Sequence, residues 1–265
     1  MLPVTPGQEA FWTHYNYIHC LKALMDGSRL SFANIHSVSP APLPELNNKK
    51  NLIDLAKKSL RDEARIVSMD KEYSYASTSW LPVKTYYLLF NMMVTIEYLI
   101  TLNRDCFRMG HGPCIGHFTR RLETGEIVFD VPDLNMVYDG SIFDYHEPSG
   151  TNLRRSLPPS QHTRLVMKKI ANYKLDDRKR AKGIPSFRSQ ANQRKRSAFL
   201  QTFKTSIFEF PYYMRIRANY RDFAFIDGVT YSNTADYFND YLAFSLGFYD
   251  ALDSLKRQLI GARIP

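Results

Sequence analysis

The sequence predicts a mainly α protein, a helical bundle interrupted by an insertion. Three observations carry that reading. Apolar residues recur at spacings of three and four through most of the chain, the period of a helix with one buried face. Of 265 residues, 44% are hydrophobic and 14% aromatic, with seventeen Tyr and seventeen Phe, enough for a core built largely of rings. The positive charge is concentrated: residues 152–204 carry fifteen Lys and Arg against Asp176 and Asp177, a balance of +13, whereas the rest of the chain sums to −4.

The elements follow in order. "EAFWTHYNYIHCLKALMD" places Phe11, Tyr15, Ile18, Leu21 and Leu24 on one helical face. "SVSPAPLPEL", with prolines at 40, 42 and 44, reads as an extended linker. Residues 51–68 give a second helix through Leu52, Leu55, Leu60, Ala64 and Val67, with interleaved charges on its solvated side. A third helix is expected to start at Ser79, with Pro82 in its first turn where a missing N–H costs little. Its apolar residues run almost all round, which puts it at the bundle centre. The run "YYLLFNMMVTIEYLITL" is 17 residues long and holds Asn91 and Glu97. A spanning helix needs roughly 20 apolar residues, so a buried core helix fits better.

After a glycine-rich break, "GHGPCIGHFTRRLETGEI" reads as a short helix ending near Gly125. Residues 126–150 are aromatic and acidic, and suit either short strands or an ordered loop. Within the basic segment, "RLVMKKIANYKL" predicts an amphipathic helix with Leu165, Ile170 and Tyr173 inward, and "RSQANQRKRSAF" a second cationic patch. A helix is then expected from about 203 to 225. The final one places Phe238, Tyr241, Leu242, Ser245, Phe248, Leu252, Leu255 and Leu259 on one face. The domain reading is an N-terminal extension over 1–50, a bundle over 51–127 and 205–262, and an insertion over 128–204 that is basic from 152.

Three cysteines without a CxxC pair argue for a reducing compartment. The start of the chain lacks a basic stretch followed by an apolar run. A cytoplasmic protein is the expectation. No P-loop, GxGxxG, HExxH or GxSxG is present, so no cofactor is expected. His111, Cys114 and His117 are zinc-ligand types, but their spacing turns them off a single face and no fourth ligand is evident. No metal site is expected.

Three stretches in order, "SWLPVKTYYLLFNMMVTIEYLI", "HGPCIGHFTRRLETGEI" and "RIRANYRDFAFIDGVTYSNTADYFNDYLAFSLGFYDAL", resemble the HEPN family of small helical bundles. The resemblance covers roughly 55–127 and 205–258. It implies an antiparallel bundle, often dimeric, in prokaryotic toxin–antitoxin or defence-type systems. Many members are metal-independent ribonucleases with an Arg-x4-6-His motif, and others bind RNA or act as partners of nucleotidyltransferases. A histidine there exchanges protons and an arginine stabilises phosphate charge. Arg217 matches the family's helix arginine, yet no histidine follows His162. The spacing does occur at Arg29/His36, Arg104/His111 and Arg155/His162. The catalytic candidates are therefore Arg217 and Arg221 with His111, or His117 in its place.

Two readings of Arg217 and Arg221 stay open. One is an arginine ladder against Asp222 or an acid on a neighbouring helix, its stems on aromatic rings. The other is a phosphate-contacting pair with Tyr220 as stacking surface. The nucleic-acid contacts expected in the basic segment are Arg154, Arg155, Arg164, Lys168, Lys169, Arg178, Lys179, Arg180, Lys182, Arg194, Lys195 and Arg196. The function expected is binding of nucleic acid, RNA rather than DNA, by a homodimer. The alternatives are a ribonuclease with an atypical Arg/His site and a structural oligomerisation partner.

Overall fold

A computed structural model describes residues 6–33, 43–138, 159–220 and 231–261. Among them the chain is mainly helical: α1 Pro6–Met25, α2 Pro44–Met69, α3 Lys71–Thr101, α4 His111–Glu123, α5 Pro159–Ala181, α6 Gln190–Thr202, α7 Phe210–Tyr220 and α8 Tyr231–Gly261. None of these helices is long and apolar enough to cross a membrane. Arg154, Arg155, Arg221 and His36, and the side chains of His162 and Tyr220, lie outside the described residues.

The α3 helix occupies the centre. Nearly every side chain from Tyr86 to Leu99 is buried, and the helix meets α2, α4, α7 and α8. The rings of α8 pack in series, tilted or edge to face, with Tyr237, Tyr241, Phe244 and Phe248 at centroid separations of 5.8–5.9 Å. Such ring pairs contribute about 0.5–1.5 kcal/mol each beyond the area they bury. The stretches read from the sequence as extension and insertion share this core: α1 buries Phe11, Ile18 and Leu21, and α5 buries Leu165, Met167 and Ile170.

Close packing of α1 on α8 depends on Gly247. A Cβ built there would lie 2.9 Å from the Met25 carbonyl oxygen, nearer than side-chain carbons come to backbone.

Three local expectations are corrected. The third helix starts at Lys71, eight residues before Ser79, and Pro82 lies inside it. Asp70 supplies the cap, its carboxylate accepting from the Glu72 and Tyr73 N–H groups at 3.0 and 3.3 Å. The Ser- and Thr-rich first turns look loop-like, but their hydroxyls have buried partners. Ser77 donates to Glu63 at 2.7 Å, Ser74 meets Thr234 at 3.1 Å, and Thr78 donates to the Ser74 carbonyl at 2.6 Å.

A short strand, β1 (Leu30–Phe32), was not foreseen; it pairs antiparallel with β2 (Ile127–Phe129). Its other edge is satisfied by α8, where the Ser254 hydroxyl and the Gln258 side-chain oxygen accept from Leu30 and Phe32 N–H at 3.1 and 3.2 Å. No local periodicity signals three residues held this way.

The helix expected over 203–225 is divided. Thr205 exchanges two backbone hydrogen bonds with Tyr138, and after a 3₁₀ turn at Ile207–Glu209 the helix begins at Phe210 with Pro211 in its first turn.

Candidate nucleic-acid interface

The cations of the basic segment stand on two helices with different roles. On α5, Arg164 is exposed and Lys168 and Lys169 are half-buried, while Leu165, Val166, Ile170 and Ala171 face the core. Lys174 belongs to the fold: its ammonium donates to Glu209 at 2.9 Å and to the Lys204 carbonyl at 3.1 Å. Burial raises the Glu209 carboxyl above its ordinary range, and Lys174 opposes that shift.

Beyond Lys174 the character changes. From Arg178 to Phe208 the chain holds nine Lys and Arg and no Asp or Glu. Gly183, at φ +61°, ends the α5 turn with a left-handed residue. Ser189 caps α6, its hydroxyl accepting from Asn192 N–H at 3.3 Å. The join brings the basic end of α5 against α6. Arg178 lies 5.5 Å from the Phe199 ring centroid, and Lys179 lies 6.0 Å from that of Phe187. Arg180 pairs with Asp177 and Lys204 with Glu123. Lys182, Arg188, Arg194, Lys195 and Arg196 are exposed and make no ion pair among the described residues. Lys179, Phe187, Arg188, Gln193 and Arg196 line a groove of about 840 Å³ with no carboxylate in its wall.

A second constellation forms where α3, α4 and α7 meet. His111 opens α4, and its Nδ1 lies 2.5 Å from the Tyr86 hydroxyl of α3. The imidazole is packed against Phe90 at a centroid distance of 4.5 Å and stacked on Tyr212 at 5.9 Å. The arginine beside it is Arg215, whose guanidinium lies 5.2 Å from the Tyr86 and Tyr87 ring centroids and 5.9 Å from that of Tyr212. Among the described residues Arg215 has no carboxylate partner, and its Nε is buried without a hydrogen bond. Burial, and after it the Arg215 charge, hold the His111 pKa below the usual histidine range. Burial raises the Tyr86 phenol well above its ordinary value, so it stays protonated.

Arg217, the arginine selected from the sequence, faces elsewhere. It donates to the Tyr213 hydroxyl at 2.8 Å, lies 5.6 Å from that ring, and favours the ionised form of the Tyr237 phenol. Two positions along a helix turn a side chain by roughly 200°, so Arg215 and Arg217 cannot share a face. Only the packing shows which one shares a tyrosine ring with a histidine.

The other histidine candidates are held by different partners. His117 Nδ1 lies 2.9 Å from Glu97, whose carboxylate also accepts from Arg121 at 3.0 Å, and Arg121 reaches on to Glu126. Glu97 and Arg121 are buried, so this is an internal ion network of α3 and α4. Arg104 pairs with Glu45 of α2 at 2.5 Å rather than with His111. Cys114 is fully buried, and its thiol is pushed up to about 12 by that burial. The described residues contain no cluster of His, Cys, Asp and Glu suited to a metal ion.

Comparison of the chain with known protein families, with curated proteins and with solved structures gives no match.

Proposed function

We propose that this protein binds nucleic acid, RNA in particular, through the basic end of α5 and the exposed face of α6. The observation that carries the reading is the set Lys182, Arg188, Arg194, Lys195 and Arg196, exposed and without ion pairs among the described residues. Cations kept for solubility are ordinarily interspersed with acids. These stand in a 31-residue stretch without one, which holds a charge of +9 and so the whole net charge of the chain. Arginine forks and lysine ammonium groups at such a density neutralise phosphates and release condensed counterions. Phe187 and Phe199, beside Lys179 and Arg178, add ring surface of the kind on which unpaired bases stack. The test is fluorescence anisotropy of a labelled RNA oligomer in EDTA over a range of salt concentrations. Affinity that falls steeply with salt is expected, and affinity indifferent to salt overturns the reading.

A second reading, cleavage of the bound RNA without metal, is favoured by the contact of His111 and Arg215 with the same Tyr86 ring. A lowered pKa keeps the imidazole neutral near pH 7, the form a general base requires. In the tautomer whose Nδ1–H donates to the Tyr86 oxygen, Nε2 is the basic nitrogen. A half-buried guanidinium without a carboxylate is placed to meet phosphate charge. The HEPN resemblance supports both readings, and homodimerisation and a nucleotidyltransferase-type partner remain part of what that resemblance implies.

A further inference from the structure

Four of the large apolar side chains that remain exposed lie on one helix. Leu52 is 48% exposed, Leu55 65%, Ile66 41% and Met69 81%, all on α2. They are not scattered. With Ser59 and Asp62 between them they form the series 52, 55, 59, 62, 66, 69, whose steps alternate three and four. That is the spacing of a helix seam that packs against another helix. It lies one residue round from the inward stripe of Ile53, Leu60, Glu63 and Val67, which is buried against the protein's own core.

A fifth exposed large apolar side chain stands on the neighbouring helix α3. Trp80, 58% exposed, stands on the α3 stripe that carries Tyr73 and Lys84. Those two residues line one hollow of about 360 Å³ with Leu55, Ser59, Asp62 and Ile66. Scattered apolar side chains on a surface need no explanation, but two exposed apolar pairs in register on one helix, with an exposed tryptophan on the helix beside it, mark an interaction surface.

The order of the row identifies the occupant. Read from either end it runs large apolar, large apolar, polar, polar, large apolar, large apolar, at the same steps. A two-fold axis between positions 60 and 61 therefore sets Leu52 on Met69 of the other copy, Leu55 on Ile66, and Ser59 on Asp62. An isologous contact demands this self-complementarity, and an unrelated partner does not. The charges at the centre agree with it. Asp62 already has Arg65 at 3.8 Å, so the carboxylate brought to the axis carries its own neutralising neighbour. The seam is about 26 Å long at the rise of an α-helix.

We propose that two copies of this chain associate through α2, crossing in opposite directions with Trp80 of each copy flanking the axis. This surface is separate from the cationic α5–α6 face and from Arg215 and His111, and the inference stands apart from the nucleic-acid reading.

Analytical ultracentrifugation of the full chain without RNA tests it, at about 100 μM, where a micromolar dimer is populated. The unaltered protein is expected as a dimer, and the Leu55→Glu/Ile66→Glu variant as a monomer with an unchanged thermal melt, since both side chains are exposed in the single copy. A register test uses Ser59→Cys and Asp62→Cys proteins, which should form an interchain disulfide when mixed and not singly. Cys20, Cys106 and Cys114 are buried and give little background. A monomeric unaltered chain, a dimer that survives both glutamates, or cross-linking of either cysteine variant with itself in preference to the mixture overturns the proposal.

Discussion

The Tyr86 hydroxyl and His111 Nδ1 lie 2.5 Å apart, and Arg215 lies across the same tyrosine ring. Burial of the imidazole, and after it the charge of Arg215, disfavour the cation. His111 should therefore titrate below the ordinary histidine value of about 6.5. Two-dimensional NMR of the histidine ring protons checks this, and Arg215→Gln should move the midpoint upward. A midpoint at or above the ordinary value contradicts the arrangement.

The same shift makes stability depend on pH. The unfolded chain takes up the His111 proton more readily than the folded one, so stability rises with pH through this window. The contribution is complete above about 6.5 and is lost as pH falls toward the lowered folded value. Denaturant midpoints across that range should flatten for His111→Asn relative to the unaltered chain.

If RNA is cleaved, purified protein in EDTA will release fragments. His111→Ala should then slow cleavage by about 10²–10⁴-fold, the usual contribution of a positioned proton donor or acceptor. Arg215→Ala should slow it comparably while RNA still binds through α6. Arg217→Ala should act mainly on stability, because its known neighbours are Tyr213 and Tyr237 of the core. Loss of cleavage in Arg217→Ala with a normal melt would reverse the assignment.

Replacing Arg194, Lys195 and Arg196 together with alanine should weaken RNA binding and leave the melt unchanged, since all three are exposed. Each lost phosphate contact should reduce the slope of log K against log salt by about 0.7–0.9, so the triple variant loses about 2. An unaltered slope would move the interface elsewhere.

Gly247→Ala tests the packing of α1 on α8. Alanine favours a helix by about 1 kcal/mol over glycine, but its methyl group would press on the Met25 carbonyl. Such overpacking costs about 1–3 kcal/mol, so thermal unfolding should shift downward rather than upward.

The helical stripes were legible because a helix buries one side of itself, and that leaves a period in the residues. The face of α8 and the inward residues of α5 were read from it. The start of α3 was not, because Ser74, Ser77 and Thr78 look like loop residues until Glu63 and Thr234 receive their hydroxyls. β1 escaped for the same reason: its outer edge is closed by Ser254 and Gln258, far away in sequence.

By itself the sequence determined that the chain is mainly helical and that its cations gather in one segment, since period and charge are properties of the residues in order. It named His111 and an arginine of the "RIR" run, but chose Arg217. Only the tertiary structure decided that Arg215 and His111 meet the same tyrosine, Tyr86. Neighbouring arginines on a helix point different ways, and which one approaches a distant histidine depends on how α7 is rotated against α3 and α4. That rotation is set by rings such as Tyr86 and Tyr212, whose packing no spacing encodes.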